Sequence, residues 1–213
     1  MSKSHTPQSG ALKSPPPTFA IILTGDGLWT PLATAVSEGL GLAGIKSTRI
    51  KSLHYFWSAQ SPKTLMLDLA AMMKLRRARR PKCRFILIGY SFGAGTLPFA
   101  ANLLGPAMIG AVDLAVLIAP PAHADFKFLL RSWLNKSSPD ARPVAPQIAA
   151  LSDKLPVLYL RGQDDYIGPS EVIAPHDKLK LTTLPGGHDL NGDYDTIARL
   201  ICERLDALQN PGV

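Results

Sequence analysis

Apolar runs of strand length alternate along this chain with longer stretches of helical period, and this alternation limits the possible folds more than any other feature. A continuously apolar strand is typical of a parallel sheet that is covered by helices on both faces. The sequence therefore predicts an α/β fold, with a mostly parallel sheet of about six strands joined by right-handed crossovers and helices on both faces. The predicted strands are residues 19–23, 45–50, 84–88, 113–118, 156–160 and 179–184.

One domain is expected over residues 18–210, because a chain of 213 residues is long enough for a single hydrophobic core but short for two. Residues 1–17 are rich in serine and proline and contain no apolar run of signal-peptide length, so we expect a disordered leader without a visible export signal; a chain that begins after a removed signal would look the same. Over residues 123–155 the pattern weakens around several prolines, which predicts a lid-like connection or insertion. The predicted helices are residues 32–42, 62–79, 92–104 and 194–208.

Composition excludes several classes of protein. With 46% hydrophobic and 18% charged residues, the chain is neither disordered, nor a coiled coil, nor collagen-like. The net charge of +7 favours an anionic partner, but no nucleic-acid recognition motif accompanies it. Neither a phosphate-binding loop, nor a dinucleotide motif, nor a His/Cys metal cluster is present, so the sequence implies no cofactor. Cys83 and Cys202 are too few for a disulfide scaffold and leave one bridge open.

The most specific motif is Gly-Tyr-Ser-Phe-Gly at residues 89–93, between a predicted buried strand and a predicted helix. A G-x-S-x-G sequence at such a junction is typical of a nucleophile elbow, in which a tight turn lifts the serine hydroxyl above the edge of the sheet. Ser91 is therefore the candidate nucleophile. An ordinary turn serine is the alternative, which the position of the motif makes the weaker interpretation.

A serine nucleophile needs a base, usually a histidine that a carboxylate orients. In α/β-hydrolases the acid follows the serine along the chain and the histidine follows the acid. Asp164 and Asp165 come directly after the fifth predicted strand and His188 after the sixth, whereas the rival His176 precedes the sixth strand. Asp165 is favoured over Asp164 because of its spacing from the flanking glycine and proline. Asp164 is then a solvated residue or a substrate contact.

Two backbone N–H groups should stabilise the oxyanion that forms during acyl transfer. Phe92, directly after the nucleophile, is one candidate donor, and the glycine-rich loop after the first strand offers Asp26 or Gly27 as the second. A plain turn is the alternative for that loop. Trp29 and Tyr55 are candidates to bind substrate, although such aromatic residues more often cap a core.

Several motifs together resemble one known family. They are Thr-Gly-Asp-Gly-Leu-Trp at 24–29, Ser-Leu-His-Tyr-Phe-Trp at 52–57, Gly-Tyr-Ser-Phe-Gly-Ala at 89–94 with Leu-Pro-Phe at 97–99, Ser-Trp-Leu at 132–134, and Leu-Pro-Gly-Gly-His at 184–188 with Gly-Asp-Tyr at 192–194. Over about residues 19–205 the chain thereby resembles the bacterial virulence protein family VirJ/AcvB. The resemblance implies an α/β-hydrolase fold, a periplasmic location, hydrolysis of lysyl- or alanyl-phosphatidylglycerol, and a link to type IV secretion.

The distribution of charge is compatible with a lipid substrate. Five loop aspartates are expected at the carboxyl edge of the sheet, and one helix end is basic; these residues are Asp26, Asp125, Asp164, Asp189 and Asp193, and Arg76, Arg77, Arg79, Arg80 and Lys82. An acidic mouth on a basic body suits a cationic ester presented by an anionic membrane. Taken singly, loop aspartates are usually solvated, and basic residues at a helix end complement its dipole.

Three hypotheses follow. The first is a serine ester hydrolase that acts on an aminoacylated phospholipid at a membrane surface. The second is a non-catalytic binding protein, associated with type IV secretion, that keeps a hydrolase fold, because a fold alone does not establish activity. The third is a general carboxylesterase for small esters.

Overall fold

The structure, a computed structural model, describes residues 16–25, 27, 31–127, 138–169 and 176–210. The predicted α/β fold is confirmed, with six parallel strands in one sheet and a separate short antiparallel pair. The strands are β1 (Thr18–Leu23), β2 (Lys46–Ile50), β3 (Arg84–Tyr90), β4 (Val112–Ile118), β5 (His123–Ala124), β6 (Arg142–Pro143), β7 (Val157–Gly162) and β8 (Leu179–Leu184).

The main sheet has the order β2-β1-β3-β4-β7-β8, and every neighbouring pair is parallel. Strands β5 and β6 form the short antiparallel pair. In a parallel sheet the carboxyl ends of all strands meet at one edge, and ligands of α/β proteins bind there. The loops after β1, β2, β3, β7 and β8 therefore share one edge of the molecule.

Helices cover both faces of this sheet. They are α1 (Pro31–Leu42), α2 (Ser52–Tyr55), α3 (Pro62–Arg79), α4 (Phe92–Asn102), α5 (Pro106–Ile109), α6 (Ala145–Lys154) and α7 (Tyr194–Gln209). Helix α3 begins where the sequence predicts, because the Ser61 hydroxyl accepts a hydrogen bond from the Thr64 N–H at 3.0 Å and Pro62 occupies the first turn.

The core has two layers, one on each side of the sheet. Alternate residues of β1 divide between them: Ile21 and Leu23 pack on the side of α3, α4 and α6, whereas Ala20 and Ile22 pack on the side of α1 and α7. Such sharing explains why residues 19–23 of this strand are all apolar. Cys83 and Cys202 are free thiols that pack in different layers, on opposite faces of the sheet.

Helix α6 differs from the expectation for its segment. Residues 145–154 belong to the predicted lid-like connection, but they form a helix whose Ile148 and Leu151 are fully buried in the core. Pro146 does not break this helix because it lies in the first turn, where the proline nitrogen needs no hydrogen. The second half of the segment is thus part of the layer that covers the sheet, while residues 128–137 lie outside the described residues.

Residues 1–15 of the predicted leader also lie outside the described residues. Within the part of the chain that the structure describes, no helix combines the length and the apolar character needed to cross a bilayer.

Candidate active site

Ser91 occupies the turn between β3 and α4, with backbone angles of φ 51° and ψ −116°. A positive φ is strained for any residue with a side chain and is found where the surrounding structure imposes it. Here the Ser91 N–H donates to the carbonyl of Ile118 at 2.9 Å, and its own carbonyl accepts from the Gly95 N–H at 2.9 Å. The turn has the conformation of a nucleophile elbow.

The two glycines of the motif are required by close backbone contacts. A Cβ on Gly89 would lie 2.6 Å from the carbonyl oxygen of Gly93 and 2.7 Å from the nitrogen of Ala94. A Cβ on Gly93 would lie 2.7 Å from the carbonyl oxygen of Thr24, at the end of β1. All three distances are shorter than real Cβ contacts allow, so only glycine lets α4 begin this close to the sheet.

His188 connects the serine to an aspartate. Its Nε2 lies 2.7 Å from Ser91 Oγ, and its Nδ1 lies 3.0 Å from Asp165 Oδ2. With the proton on Nδ1, the ring donates to Asp165 and accepts from the serine hydroxyl. The side chain of Asp165 is 2% exposed and that of His188 is 24% exposed. The carboxylate is therefore shielded, whereas the imidazole remains open to a substrate.

The other oxygen of Asp165 is also occupied, because Oδ1 accepts the N–H of Ile167 at 2.9 Å. The two loops that carry Asp165 and His188 are joined by main-chain contacts. The Asp164 N–H donates to the carbonyl of Gly186 at 2.9 Å, and a Cβ on Gly162 would lie 2.5 Å from that same oxygen. The glycines thus bring the acid and the base within hydrogen-bonding distance.

Two tyrosines lie near this arrangement. Tyr90 stacks on the imidazole of His188, with ring centroids 6.0 Å apart and planes inclined by 29°. Tyr159 on β7 is buried, and this burial raises its pKa to about 12, with the charge of Asp165 adding to the effect and that of Arg161 opposing it. The Tyr159 phenol therefore keeps its proton at neutral pH and does not act as a base.

Thr24 and Ser52 hold the loop after β1, and sequence analysis gave neither of them a role. Ser52 Oγ donates to the Thr24 carbonyl at 2.5 Å, and the Ser52 N–H donates to Thr24 Oγ1 at 3.1 Å. Both residues are buried. A Cβ on the adjacent Gly25 would lie 3.6 Å from the Cβ of Ser91, so this pair holds the loop beside the serine. In the sequence, Thr24 comes one position after the end of β1 and Ser52 two positions after the end of β2. A hydroxyl residue just after each strand is the signal that could have indicated this pair.

Replacing Ser52 with alanine should destabilise the protein and slow an ester-cleaving reaction. The buried Thr24 carbonyl would lose its side-chain donor, which costs about 1–3 kcal/mol of unfolding free energy. Because the loop beside Ser91 would be held less firmly, we expect kcat/KM to fall by about tenfold.

Urea unfolding and ester kinetics measure the two effects of Ser52→Ala. Ser58→Ala at an exposed serine is the control and should change stability by less than about 0.5 kcal/mol; equal behaviour of both variants would exclude this role for Ser52.

The remaining predicted oxyanion residues are placed only in part. Phe92 is the first residue of α4, and N–H groups in a first helical turn have no acceptor within their own helix. Gly27 is exposed, in the loop that follows β1, and Asp26 lies outside the described residues. The assignment of Phe92 with Asp26 or Gly27 as oxyanion donors stays a prediction.

The predicted substrate contacts have different surroundings. The Tyr55 hydroxyl donates to Asp68 on α3, and its ring packs edge-on against Phe56 with centroids 4.9 Å apart. These contacts are typical of a residue that joins α2 to α3, and the role of Tyr55 as a substrate contact stays a prediction. Asp164 is exposed on the loop beside His188, which leaves open both of its predicted roles. Trp29 lies outside the described residues.

Part of the predicted acidic mouth has structural roles. Asp125 accepts hydrogen bonds from Ser138, and Asp189 and Asp193 accept the N–H groups of Asn191 and Thr196 at the starts of helical turns. These carboxylates cap turns, as loop aspartates commonly do.

The predicted basic helix end lies away from Ser91. The Arg76 guanidinium is 4.1 Å from the ring centroid of Phe19, near the start of β1. The basic end of α3 is therefore at the amino edge of the sheet, and a bilayer that contacted it would face away from the serine.

The rival histidine is engaged elsewhere, since His176 Nε2 lies 3.3 Å from Asp153 Oδ1. Among the described residues, no group of three or more His, Cys, Asp or Glu side chains could hold a metal ion.

Comparison with protein families decides the relationship that the motifs suggested. The family model described as bacterial virulence protein (VirJ) matches residues 17–209. The chain belongs to the VirJ family. The predicted resemblance is therefore confirmed, and it covers the whole sheet and all three residues of the hydrogen-bonded chain. Among proteins of curated function, none matches this sequence.

Solved structures of hydrolases share the fold of this VirJ family member. An α/β serine hydrolase without a lid from Xanthomonas campestris is 20% identical, with a TM-score of 0.60 over 93% of this chain and 84% of that one. Est1E from Butyrivibrio proteoclasticus is 16% identical, with a TM-score of 0.60 over 89% and 88% of the two chains. An α/β serine hydrolase homologue from Coxiella burnetii is 19% identical, with a TM-score of 0.60 over 88% and 85%. The likeness establishes a common α/β-hydrolase fold.

Proposed function

We propose that this protein is a serine hydrolase that cleaves carboxylic esters, with Ser91 as nucleophile, His188 as base and Asp165 as the orienting acid. The observation that carries the proposal is the continuous hydrogen-bonded chain from Ser91 Oγ through His188 to the shielded Asp165 carboxylate, at 2.7 and 3.0 Å. A strained serine on a strand-to-helix turn that also contacts a carboxylate-oriented imidazole matches the requirements of nucleophilic catalysis.

The geometry supports a two-stage acyl transfer. Ser91 Oγ attacks the ester carbonyl while its proton moves to His188 Nε2, and the Asp165 carboxylate stabilises the imidazolium that forms. Backbone N–H groups of Phe92 and of the loop after β1 donate hydrogen bonds to the carbonyl oxygen as it becomes negatively charged. The imidazolium then protonates the departing alcohol. Water, deprotonated by the neutral imidazole, releases the acid and restores the serine.

The substrate class comes from the family resemblance, which implies lysyl- or alanyl-phosphatidylglycerol as the ester. We place the reaction at the periplasmic face of a membrane on the same grounds. The partial exposure of His188 at the carboxyl edge fits an ester whose lipid part remains in a bilayer. A general carboxylesterase would share the same chemistry and would differ in its preference for small soluble esters.

Labelling with a fluorophosphonate probe followed by peptide mass spectrometry tests the proposal directly. We expect the adduct on Ser91 and its loss in Ser91→Ala. The wild type should release lysine from lysyl-phosphatidylglycerol vesicles and the variant should not. Release of the amino acid by Ser91→Ala would contradict the mechanism, and absence of both labelling and turnover would favour a binding protein on a hydrolase fold.

The two neighbouring aspartates offer a matched pair of variants. Asp165→Asn keeps the shape of the side chain but removes the charge that holds His188 in the required tautomer, so we expect kcat/KM to fall by about 10³–10⁴-fold. Asp164→Asn changes an exposed residue by the same atoms and should alter hydrolysis of a neutral ester by less than about threefold. Kinetics on one small neutral ester compare them. Equal losses would show that the acid is not specifically Asp165.

A further inference from the structure

A cleft separate from the hydrogen-bonded chain opens beside the loop that follows β1. It has a volume of about 280 Å³ and lies between that loop, helix α1, the end of β2 and helix α2. Its size is just below the range of about 300–1,000 Å³ that is usual for small-molecule sites. The lining residues are Thr24, Gly27, Thr34, Arg49, Lys51, Leu53 and His54.

Among the described residues that line this cleft, the ionisable ones are all basic. Arg49 is the last residue but one of β2, Lys51 comes directly after the strand, and His54 belongs to α2. The Arg49 guanidinium donates to Thr34 Oγ1 at 2.6 Å, which directs it across the cleft towards α1. Among the described residues, no carboxylate oxygen lies within 4.0 Å of the Arg49 or Lys51 side-chain nitrogens. Two cations without a carboxylate partner in this part of the chain favour an anionic ligand.

The cleft and the candidate nucleophile share one loop. Thr24 and Gly27 line the cleft. Gly25 lies between them in the sequence, and a Cβ added to Gly25 would lie 3.6 Å from the Cβ of Ser91. A group bound in the cleft therefore borders the same loop that contacts Ser91.

We propose that the cleft formed by Arg49, Lys51 and His54 binds a phosphate group of the ester substrate, and so gives the enzyme its preference for phosphorylated esters. The assignment rests on the proposed hydrolase function and adds a binding site to it. Planar Arg and compact Lys cations bind phosphate oxygens through charge-assisted hydrogen bonds, and the Thr34 contact limits the freedom of the guanidinium. Both a phospholipid headgroup and a soluble phosphate ester carry this group.

Two acetyl esters that differ only in the phosphate test the site: acetylglycerol and acetylglycerol 3-phosphate. For Arg49→Met and Lys51→Met we expect kcat/KM for the phosphorylated ester to fall by about tenfold each, and by more in the double variant, as for loss of a charge-assisted hydrogen bond. Hydrolysis of acetylglycerol and fluorophosphonate labelling of Ser91 should stay within about twofold, because neither involves the cleft.

Lys46→Met and Lys180→Met are the matched controls, since both remove one exposed positive charge near the amino ends of β2 and β8. They should leave both esters unaffected. An equal fall for the neutral and the phosphorylated ester, or an unchanged phosphorylated ester in Arg49→Met/Lys51→Met, would overturn the proposal. So would an effect that the control double variant Lys46→Met/Lys180→Met reproduces, because general charge would then be responsible.

Vesicles of lysyl-phosphatidylglycerol distinguish the two sources of phosphate. A loss in Arg49→Met with both vesicles and acetylglycerol 3-phosphate supports recognition of the phosphate itself in either source. A loss with vesicles alone, while the soluble ester is unaffected, contradicts the proposed site and indicates a bilayer contact instead. Failure of the hydrolase function looks different: the wild type would then cleave neither ester and would not be labelled at Ser91.

Discussion

Replacement of His188 by alanine is expected to lower kcat/KM for a carboxylic ester by about 10⁴-fold or more. The Ser91 hydroxyl then loses the base that lies 2.7 Å away, and a serine alcohol is a weak nucleophile at its ordinary pKa. Initial-rate kinetics on acetylglycerol measure the loss. The residual rate should equal that of Ser91→Ala, and the double variant should be no slower than either, since groups that act as one unit are not additive.

His176→Ala is the matched control for this variant. His176 is paired with Asp153 rather than with the serine, so its loss should change the rate by less than about threefold. Retention of more than a tenth of the wild-type rate in His188→Ala would show that another base serves Ser91. Circular dichroism of His188→Ala should match the wild type, because His188 lies on the loop after β8 and belongs to neither core layer.

Gly162→Ala should have the other large effect, because it should lower both the free energy of unfolding and the activity of the folded protein. An added Cβ would meet the carbonyl oxygens of Gly186 and Gly187, the former at 2.5 Å, and backbone oxygens cannot turn aside as a flexible side chain does. Overpacking of this kind costs about 3 kcal/mol of unfolding free energy. The shift must also separate the loops that carry Asp165 and His188, so the folded fraction should lose activity as well.

Urea unfolding monitored together with ester kinetics measures both losses. Gly41→Ala makes the same chemical change in helix α1, where a Cβ would meet nothing within 4 Å. That variant should gain about 0.5–1 kcal/mol, since alanine restricts the unfolded chain more than glycine does. A Gly162→Ala protein with wild-type stability and activity would mean that the two loops are not held in this contact.

Much of the architecture was predictable from short-range pattern. The strand at residues 179–184 and the helix at 62–79 have the bounds that alternation, a serine cap and a first-turn proline indicate. The position of Ser91 followed from its two flanking glycines, whose absence of a side chain is itself the steric requirement. Signals of this kind depend on residues a few positions apart, so no long-range contact is needed to recognise them.

Other features were misjudged or missed because they depend on distant partners. The prolines around residues 143–146 suggested a loop over the molecule, but Pro146 lies in the first turn of α6 and the helix buries Ile148. The hydrogen bond from the Tyr55 hydroxyl to Asp68 also joins distant segments, and the role of Tyr55 as a substrate contact stays a prediction. The Thr24 and Ser52 pair and the basic cleft at Arg49 each join segments that are distant in sequence, and no local pattern indicates which segments meet.

Periodicity, turn residues and the order of motifs along the chain specify the α/β class, the elbow and the family, since all of these are written in neighbouring residues. Whether Asp165 rather than Asp164 reaches His188, and which cations surround one cleft, follow from how β7 and β8 pair and how the loops beyond them turn. Such distances depend on packing across the whole sheet. The proposal that one substrate has its ester carbonyl at Ser91 and its phosphate at Arg49 therefore depends on three-dimensional placement, whereas the nucleophilic chemistry of Ser91 was already indicated by the motifs.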